Sequence, residues 1–508
     1  MAGPGTYGSA VGASRLRGDH TTYAVVGAAM LFVVALRLLF LRDLPYTDEG
    51  GLLVVARQWH SGGPFLYGDL FVDRPPVLLV FFRACAALGG ILPVRVLGLG
   101  LVVVAVAASA WAGSVLAGRR GAGTAAVVTA ALLADTVLGT REVNAETVGL
   151  PLTLLASACF LEGNRSSTGA RRRWLVVGGF LAVCALMVKQ NLADALVFGL
   201  ALVLSSVLAG SRRRDAVKDL GWLLVGSAVP LLAMLVWAVT ATPGLSALGY
   251  TLYGFRIQGS QALLAARTAS QGIRLHALLR ASVVSGLLPL LVASLWLLRR
   301  RLVRDPVGLA LLVMLASATV GVAGGGYYWS HYLLGLVPVT VMLTARAAGA
   351  TDRPRLLALI LAATVVSSLV SATTAFRSRT PAGETWVGGT AAWMKTLRRP
   401  GDSMVVLYGE ASLYDATRLR PAYPYLWTLP MRVRDPGLTA LRALLSGPDA
   451  PTFVLTPSPL DAWNIDPAGL TEHVIHRFYR RIADPCGSPV YLRRGVDRRL
   501  PPPTSGCG

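Results

Sequence analysis

The chain has 508 residues, of which 54% are hydrophobic and only 15% charged, and its mean hydropathy is +0.56. An ordinary globular protein carries roughly 25% charged residues, so a soluble cytoplasmic enzyme, a disordered chain and a secreted disulfide scaffold are excluded. The net charge of +22 sits in Arg clusters between apolar segments, a pattern of membrane topology and anionic-lipid contact, and no nucleic-acid partner is expected.

The first twenty residues are polar and rich in Gly and Ser. The apolar run Tyr23–Phe40 is too long for a signal-peptide core and has no small-residue cleavage site, so it is expected to remain as the first span. A spanning helix needs about 20 apolar residues. Eleven segments qualify: 22–41, 94–117, 121–138, 146–162, 174–190, 192–210, 220–240, 281–298, 306–323, 331–347 and 354–373.

A twelfth stretch, Pro75–Leu92, is ambiguous by composition, and the positive-inside rule decides it. Arg15 and Arg17, Arg119–Arg120, Arg171–Arg173, Arg212–Arg214 with Lys218, Arg299–Arg304, and Arg346 to Arg355 fall on the inner side together only if 75–92 does not cross. Its double-Pro start and mid-segment Arg83 fit an interfacial helix. The expected domains are therefore a cytoplasmic tail at 1–21, a transmembrane domain at 22–375 and an extracytoplasmic C-terminal domain at 376–508. The scarcity of Lys beside abundant Arg, Ala, Gly and Val suggests a GC-rich bacterial genome and hence a bacterial plasma membrane.

The C-terminal domain has about 130 residues. Ser403–Tyr408, Pro451–Thr456 and Val490–Arg493 read as short buried strands and Ala391–Arg399 as a helix, which predicts a small α/β domain. Cys85, Cys159 and Cys184 lie in apolar segments and read as inert small hydrophobes. Cys486 and Cys507, if outside the cell, are a candidate disulfide. No Cys or His spacing suggests zinc.

This topology sorts the polar residues. The first outer loop, 42–74, holds Asp43, Asp48, Glu49, Asp69 and Asp73 with three Arg. The turn TREVNAET puts Glu142 and Glu146 one helical turn apart. The loop 241–280 has Arg256, Arg267, Arg274 and Arg280 and no acid. Lys189 closes the fifth span, and His331 follows the turn GGGYYWS. Carboxylates early in the chain suit a base, and later cations suit a phosphate leaving group. That combination is expected for glycosyl transfer from a phosphate-linked lipid. Each residue also has a plainer role available. Asp48 and Glu49 suit a helix N-terminus, as do Glu142 and Glu146. Lys189 suits a head-group contact, His331 an interfacial position, and the loop Arg residues unspecific lipid contacts. Asp135 and Asp194, within spans, are costly and so suggest function.

The segments TDEG (47–50) and ARQWHSGGPFLYGDLFVDRPP (56–76) resemble the first outer loop of the GT-C glycosyltransferases, in the branch of the protein O-mannosyltransferases and aminoarabinose transferases. VRVLGLGLVV (94–103), REVNAETVGLPLTLLA (141–156), LMVKQN (186–191) and SHYLLGLVPV (330–339) are similar to later segments of that branch, in the same order. The resemblance covers roughly residues 20–375. It implies a polytopic α-helical membrane fold, with about eleven transmembrane helices plus interfacial helices and an α/β C-terminal domain.

It also implies a polyprenyl-phosphate sugar donor, an extracytoplasmic acceptor (protein, glycan or lipid) and inversion at the anomeric carbon. Asp48 would be the catalytic base. The substrate-binding set would be Glu49, Glu146, Glu142, Arg74, Lys189, Arg256, His331 and Tyr332, with Lys189 and His331 at the donor phosphate. Glu146 is preferred to Glu142 as the second acid. That acid is Glu here, where the branch commonly has Asp. No metal and no other cofactor is expected. The competing readings are a transporter or flippase of lipid-linked sugars and a non-catalytic scaffold.

Overall fold

A computed structural model gives the fold and describes residues 8–208, 213–266, 269–381, 383–460 and 462–502. Arg212, Arg267 and Cys507 therefore lie outside the described residues, and with Cys507 the expected Cys486–Cys507 pair. Cys85, Cys159 and Cys184 are free thiols.

The chain is a multi-pass helical membrane protein. In lipid every backbone N–H and C=O must be paired within the segment, so apolar runs of this length become helices. Among the described residues seven helices are long and apolar enough to cross: His20–Leu38, Ile91–Ala134, Ala145–Arg165, Arg213–Ala241, Pro306–Ala323, Ser330–Ala350 and Pro354–Arg377. A bent pair, Ser270–Val284 and Leu287–Leu298, gives an eighth. The helices Thr168–Leu186 and Asp194–Leu208 fall on the remaining expected spans.

By contacts the chain forms two compact units. One comprises Met1–Phe40, Leu97–Ala233 and Ile273–Arg377, and the other Leu41–Val96, Met234–Gly272 and Ser378–Gly508.

The 44-residue run Ile91–Ala134 is two arms and not one rod. Helical dihedrals fail at Ala117 and Gly118, where Gly118 has φ +60°. Beyond this point the arms lie back to back: the Ser109 hydroxyl donates to the Ala125 carbonyl at 3.3 Å. A Cβ on Gly113 would sit 2.3 Å from the Gly121 carbonyl oxygen, so only glycine permits this approach. Small residues do the same elsewhere. The Phe160 ring lies between Gly178 and Gly199, each of which would place a Cβ 2.6 Å from it. Gly113→Val is expected to destabilise by about 1–3 kcal/mol through overpacking. A lowered thermal midpoint in detergent would bear this out, and an unchanged midpoint would contradict it.

The expected straight span 281–298 is instead broken by 61° between Val284 and Leu287. Gly286 has φ +79°, and the Thr364 hydroxyl occupies the space a side chain would need. The carbonyl of Val284 at the break lies 2.8 Å from the Ser367 hydroxyl, whose single proton is shared between it and Asp135. Asp135, singled out as costly, is a cap. It accepts from the Val137 amide at 3.0 Å, from Ser367 at 2.9 Å and from Ser371 at 2.8 Å. Asp194 accepts from the Ser317 hydroxyl at 3.0 Å.

In the second unit, Pro76–Ala87 is a 12-residue helix. At 1.5 Å per residue it is too short to cross a bilayer. The C-terminal residues build a five-stranded sheet from β1 (Ser403–Val406), β2 (Arg420–Pro421), β3 (Phe453–Leu455), β4 (Tyr479–Ala483) and β5 (Val490–Arg493). Its order is β2-β1-β3-β5-β4, with β1 parallel to β2 and β3, and β5 antiparallel to β3 and β4. Val405, Leu407 and Val454 pack with Leu441, Leu445 and Ile475 of the helices Thr439–Ser446 and Leu470–Phe478. The expected helix starts earlier than the sequence suggested, spanning Trp386–Leu397, because Thr385 caps it through the Gly388 amide at 3.0 Å.

Candidate active site

The nine candidate residues fall into two groups, one in each unit. The first is built on the helix Thr47–Gln58. Its start is fixed by Glu49, whose carboxylate accepts from the Tyr46 backbone N–H at 3.0 Å and from the Arg95 guanidinium at 2.7 Å. Glu49 is 0% exposed and Arg95 5%, so this pair is buried, and Arg95 also lies over the Tyr46 ring at 5.6 Å. The plainer reading of Glu49, a helix-start acid, is realised. Removing one member of a buried pair strands the other charge and costs about 3–5 kcal/mol. Arg95→Met is therefore expected to lower the thermal midpoint strongly. Arg95→Met with Glu49→Gln should recover much of that loss, and equal melting of single and double variants would contradict it.

Asp48, one residue earlier, keeps an open carboxylate, with its side chain 32% exposed. It faces the Arg74 guanidinium at 3.5 Å. Arg74 also holds Asp73 at 2.7 Å, and Arg256 holds the other oxygen of Asp73 at 2.8 Å. Asp48, Arg74, Asp73 and Arg256 thus form one chain of alternating charge. The loop behind them is pinned by Tyr67, whose hydroxyl donates to the Arg74 carbonyl at 2.8 Å. Burial, with Asp73 nearby, pushes that hydroxyl well above the usual phenol range, so it stays a donor.

The second group belongs to the other unit. The Asn144 side chain caps the helix Ala145–Arg165 by accepting from the Thr147 amide at 2.9 Å. This places Glu146 in the first turn, 2% exposed, in a buried ion pair with Lys189. Lys189 also lies over the Tyr332 ring at 4.1 Å. His331 stacks edge-on to Tyr332 with ring centroids 4.9 Å apart, and its Nδ1 is 3.3 Å from Glu142. Both acids of the TREVNAET turn are thus engaged: Glu146 by a lysine and Glu142 by a histidine. Sequence spacing did not reveal the Glu146–Lys189 pairing, since 43 residues separate the two.

No family model matches the amino-acid sequence, and no curated protein matches it either. Structural comparison is decisive about the fold. The chain superposes on ArnT from Cupriavidus metallidurans bound to undecaprenyl phosphate with a TM-score of 0.65, covering 92% of this chain and 97% of that one at 15% identity. The chain has the fold of ArnT. The oligosaccharyltransferase of Archaeoglobus fulgidus shares it. Its apo form gives a TM-score of 0.58 at 12% identity, covering 94% of this chain and 75% of that one. AglB from the same organism, in complex with an inhibitory peptide and a dolichol-phosphate, gives 0.58 at 11% identity over 94% and 74%.

One archaeal GT-C structure was solved in complex with Zn and sulfate. Among the described residues of this chain, no group of three or more His, Cys, Asp and Glu is placed to hold a metal ion. The first-loop carboxylates face guanidinium groups instead: Asp48 faces Arg74 and Glu49 faces Arg95.

Proposed function

We propose that this chain is a membrane glycosyltransferase that moves a sugar from a polyprenyl-phosphate donor to an acceptor hydroxyl or amine on the extracytoplasmic side of a bacterial plasma membrane. The observation that carries this reading is the whole-length GT-C likeness to a protein captured with undecaprenyl phosphate. The Arg clusters support a cytoplasmic N-terminus, a transmembrane domain over 22–375 and an extracytoplasmic domain over 376–508.

In the proposed step Asp48 accepts the acceptor proton while the acceptor atom forms a bond to the anomeric carbon. The bond from that carbon to the phosphate oxygen breaks, and its electrons stay on polyprenyl phosphate as leaving group. A single displacement of this kind inverts the anomeric centre. Asp48 suits the role because its carboxylate is partly open and held at a helix start. Glu49 holds that helix start. Arg74 orients Asp48, and Arg256 steadies Arg74 through Asp73. Lys189 and His331, with Tyr332, oppose the charge that develops on the leaving phosphate. Glu146 and Glu142 hydrogen-bond sugar hydroxyls and hold Lys189 and His331 in place. No step is routed through a metal.

The direct test reconstitutes the protein in lipid with a panel of radiolabelled polyprenyl-phosphate sugars and a membrane and cell-wall extract as acceptor. Label leaving one donor for a new product is the expected result. Label that stays on the lipid with every donor would contradict the reading.

A further inference from the structure

The GG of the TDEGG segment is not used by the chemistry above, yet it seats the Asp48 helix against the C-terminal residues. A Cβ on Gly50 would lie 2.6 Å from the Ser412 Cα, and one on Gly51 would lie 2.3 Å from the Trp427 ring. The far end of the same helix is tied by an ion pair between Arg57 and Asp415, with Arg418 3.7 Å from Asp415. At the near end, the Thr47 hydroxyl donates to the Glu410 carboxylate at 3.0 Å, and Ser412 donates to the same oxygen at 3.3 Å. Among the described residues no cation pairs with Glu410.

We infer that Glu410 is a positioning residue for the Asp48 base. Its carboxylate holds Thr47, the residue before Asp48, and so fixes the start of the helix that carries the base. The inference rests on the reading of Asp48 as the base. It also makes the C-terminal domain part of the reacting site's support.

Burial and the nearby Asp48 charge push the Glu410 carboxyl above the usual carboxylate range, against the two hydroxyl donors that favour its ionised form. Other charges around the Asp48 helix are already matched. Arg74 is shared between Asp48 and Asp73, which also holds Arg256. Arg95 is taken by Glu49, and Arg57 and Arg418 are taken by Asp415. Removing the carboxylate frees Thr47, and with it the start of the helix that carries Asp48. The proton transfer then slows while donor binding is untouched.

The test measures transfer with full-length protein in lipid over a range of donor concentrations. In Glu410→Gln the maximal rate should fall about tenfold with donor KM unchanged, and Glu410→Asp should restore part of the rate. A Glu410→Gln rate equal to wild type, with Asp48→Asn inactive, overturns the inference alone. Wild-type activity in Asp48→Asn removes the base reading and the inference together. If Glu410→Gln does not fold, Thr47→Val becomes the deciding variant, since it deletes the link and keeps both carboxylates. A lowered plateau with unchanged donor KM supports the inference, and a wild-type rate overturns it.

Discussion

Asp48→Asn is expected to lower the transfer rate about a thousand-fold, within the 10²–10⁴ range that a positioned base contributes. The amide keeps the shape of the side chain and its contact with Arg74, which lies 3.5 Å from the carboxylate. It has lost the ability to take a proton. Because the side chain is partly exposed and makes no buried ion pair, the thermal midpoint should stay near wild type. Donor KM should also change little, since the loss falls on a proton transfer made only in the transition state. The check is a pair of rate curves at fixed acceptor, beside melting curves of both proteins. A variant retaining more than about a tenth of the rate would show that the acceptor proton leaves by another route.

Lys189→Met is expected to lower stability and activity together. Lys189 and Glu146 form a buried pair, with side-chain exposures of 7% and 2%. Deleting the lysine strands a carboxylate, at a cost of about 3–5 kcal/mol. It also removes the cation proposed to face the leaving phosphate, a loss of about 10²–10³ in rate by analogy with other fixed charge-stabilising groups. The two effects separate in the double variant. Lys189→Met with Glu146→Gln should recover most of the thermal midpoint, because neither partner is left charged. It should remain inactive, because the cation is still missing. Recovery of activity together with stability would mean that the pair only holds the helices.

These expectations rest on features of unequal visibility in the sequence. Long apolar runs and Arg clusters marked the helices, because a bilayer demands length and internally paired backbone whatever the neighbours are. The doubling back at Ala117–Gly118 was legible from Arg119 and Arg120. The break at Gly286 was not, because 281–298 is uniformly apolar and the reason for the bend is the distant Thr364. In the C-terminal domain the three apolar strands were readable. Edge strand β4 was not, since its YRRIA sequence carries two Arg on an exposed edge.

The candidate site divides in the same way. Asp48 and Glu49 stood out as a pair of acids after the first span, yet only the fold distinguishes an open carboxylate from a fully buried one. The partners of Glu49, Glu146 and Asp73 lie 46, 43 and 183 residues away in sequence. Glu410 lies in a segment with no recognisable motif. It emerges only because Gly50 and Gly51 let the C-terminal residues close onto the Asp48 helix.

The most direct measurement is the anomeric configuration of the product. Purified protein in lipid would be given the donor that supports transfer, and the new glycosidic linkage would be determined by NMR against the known configuration of the donor. Direct displacement of polyprenyl phosphate, with Asp48 as base, predicts inversion with one polyprenyl phosphate released per sugar transferred. Retention of configuration, or product formed without release of polyprenyl phosphate, would contradict it.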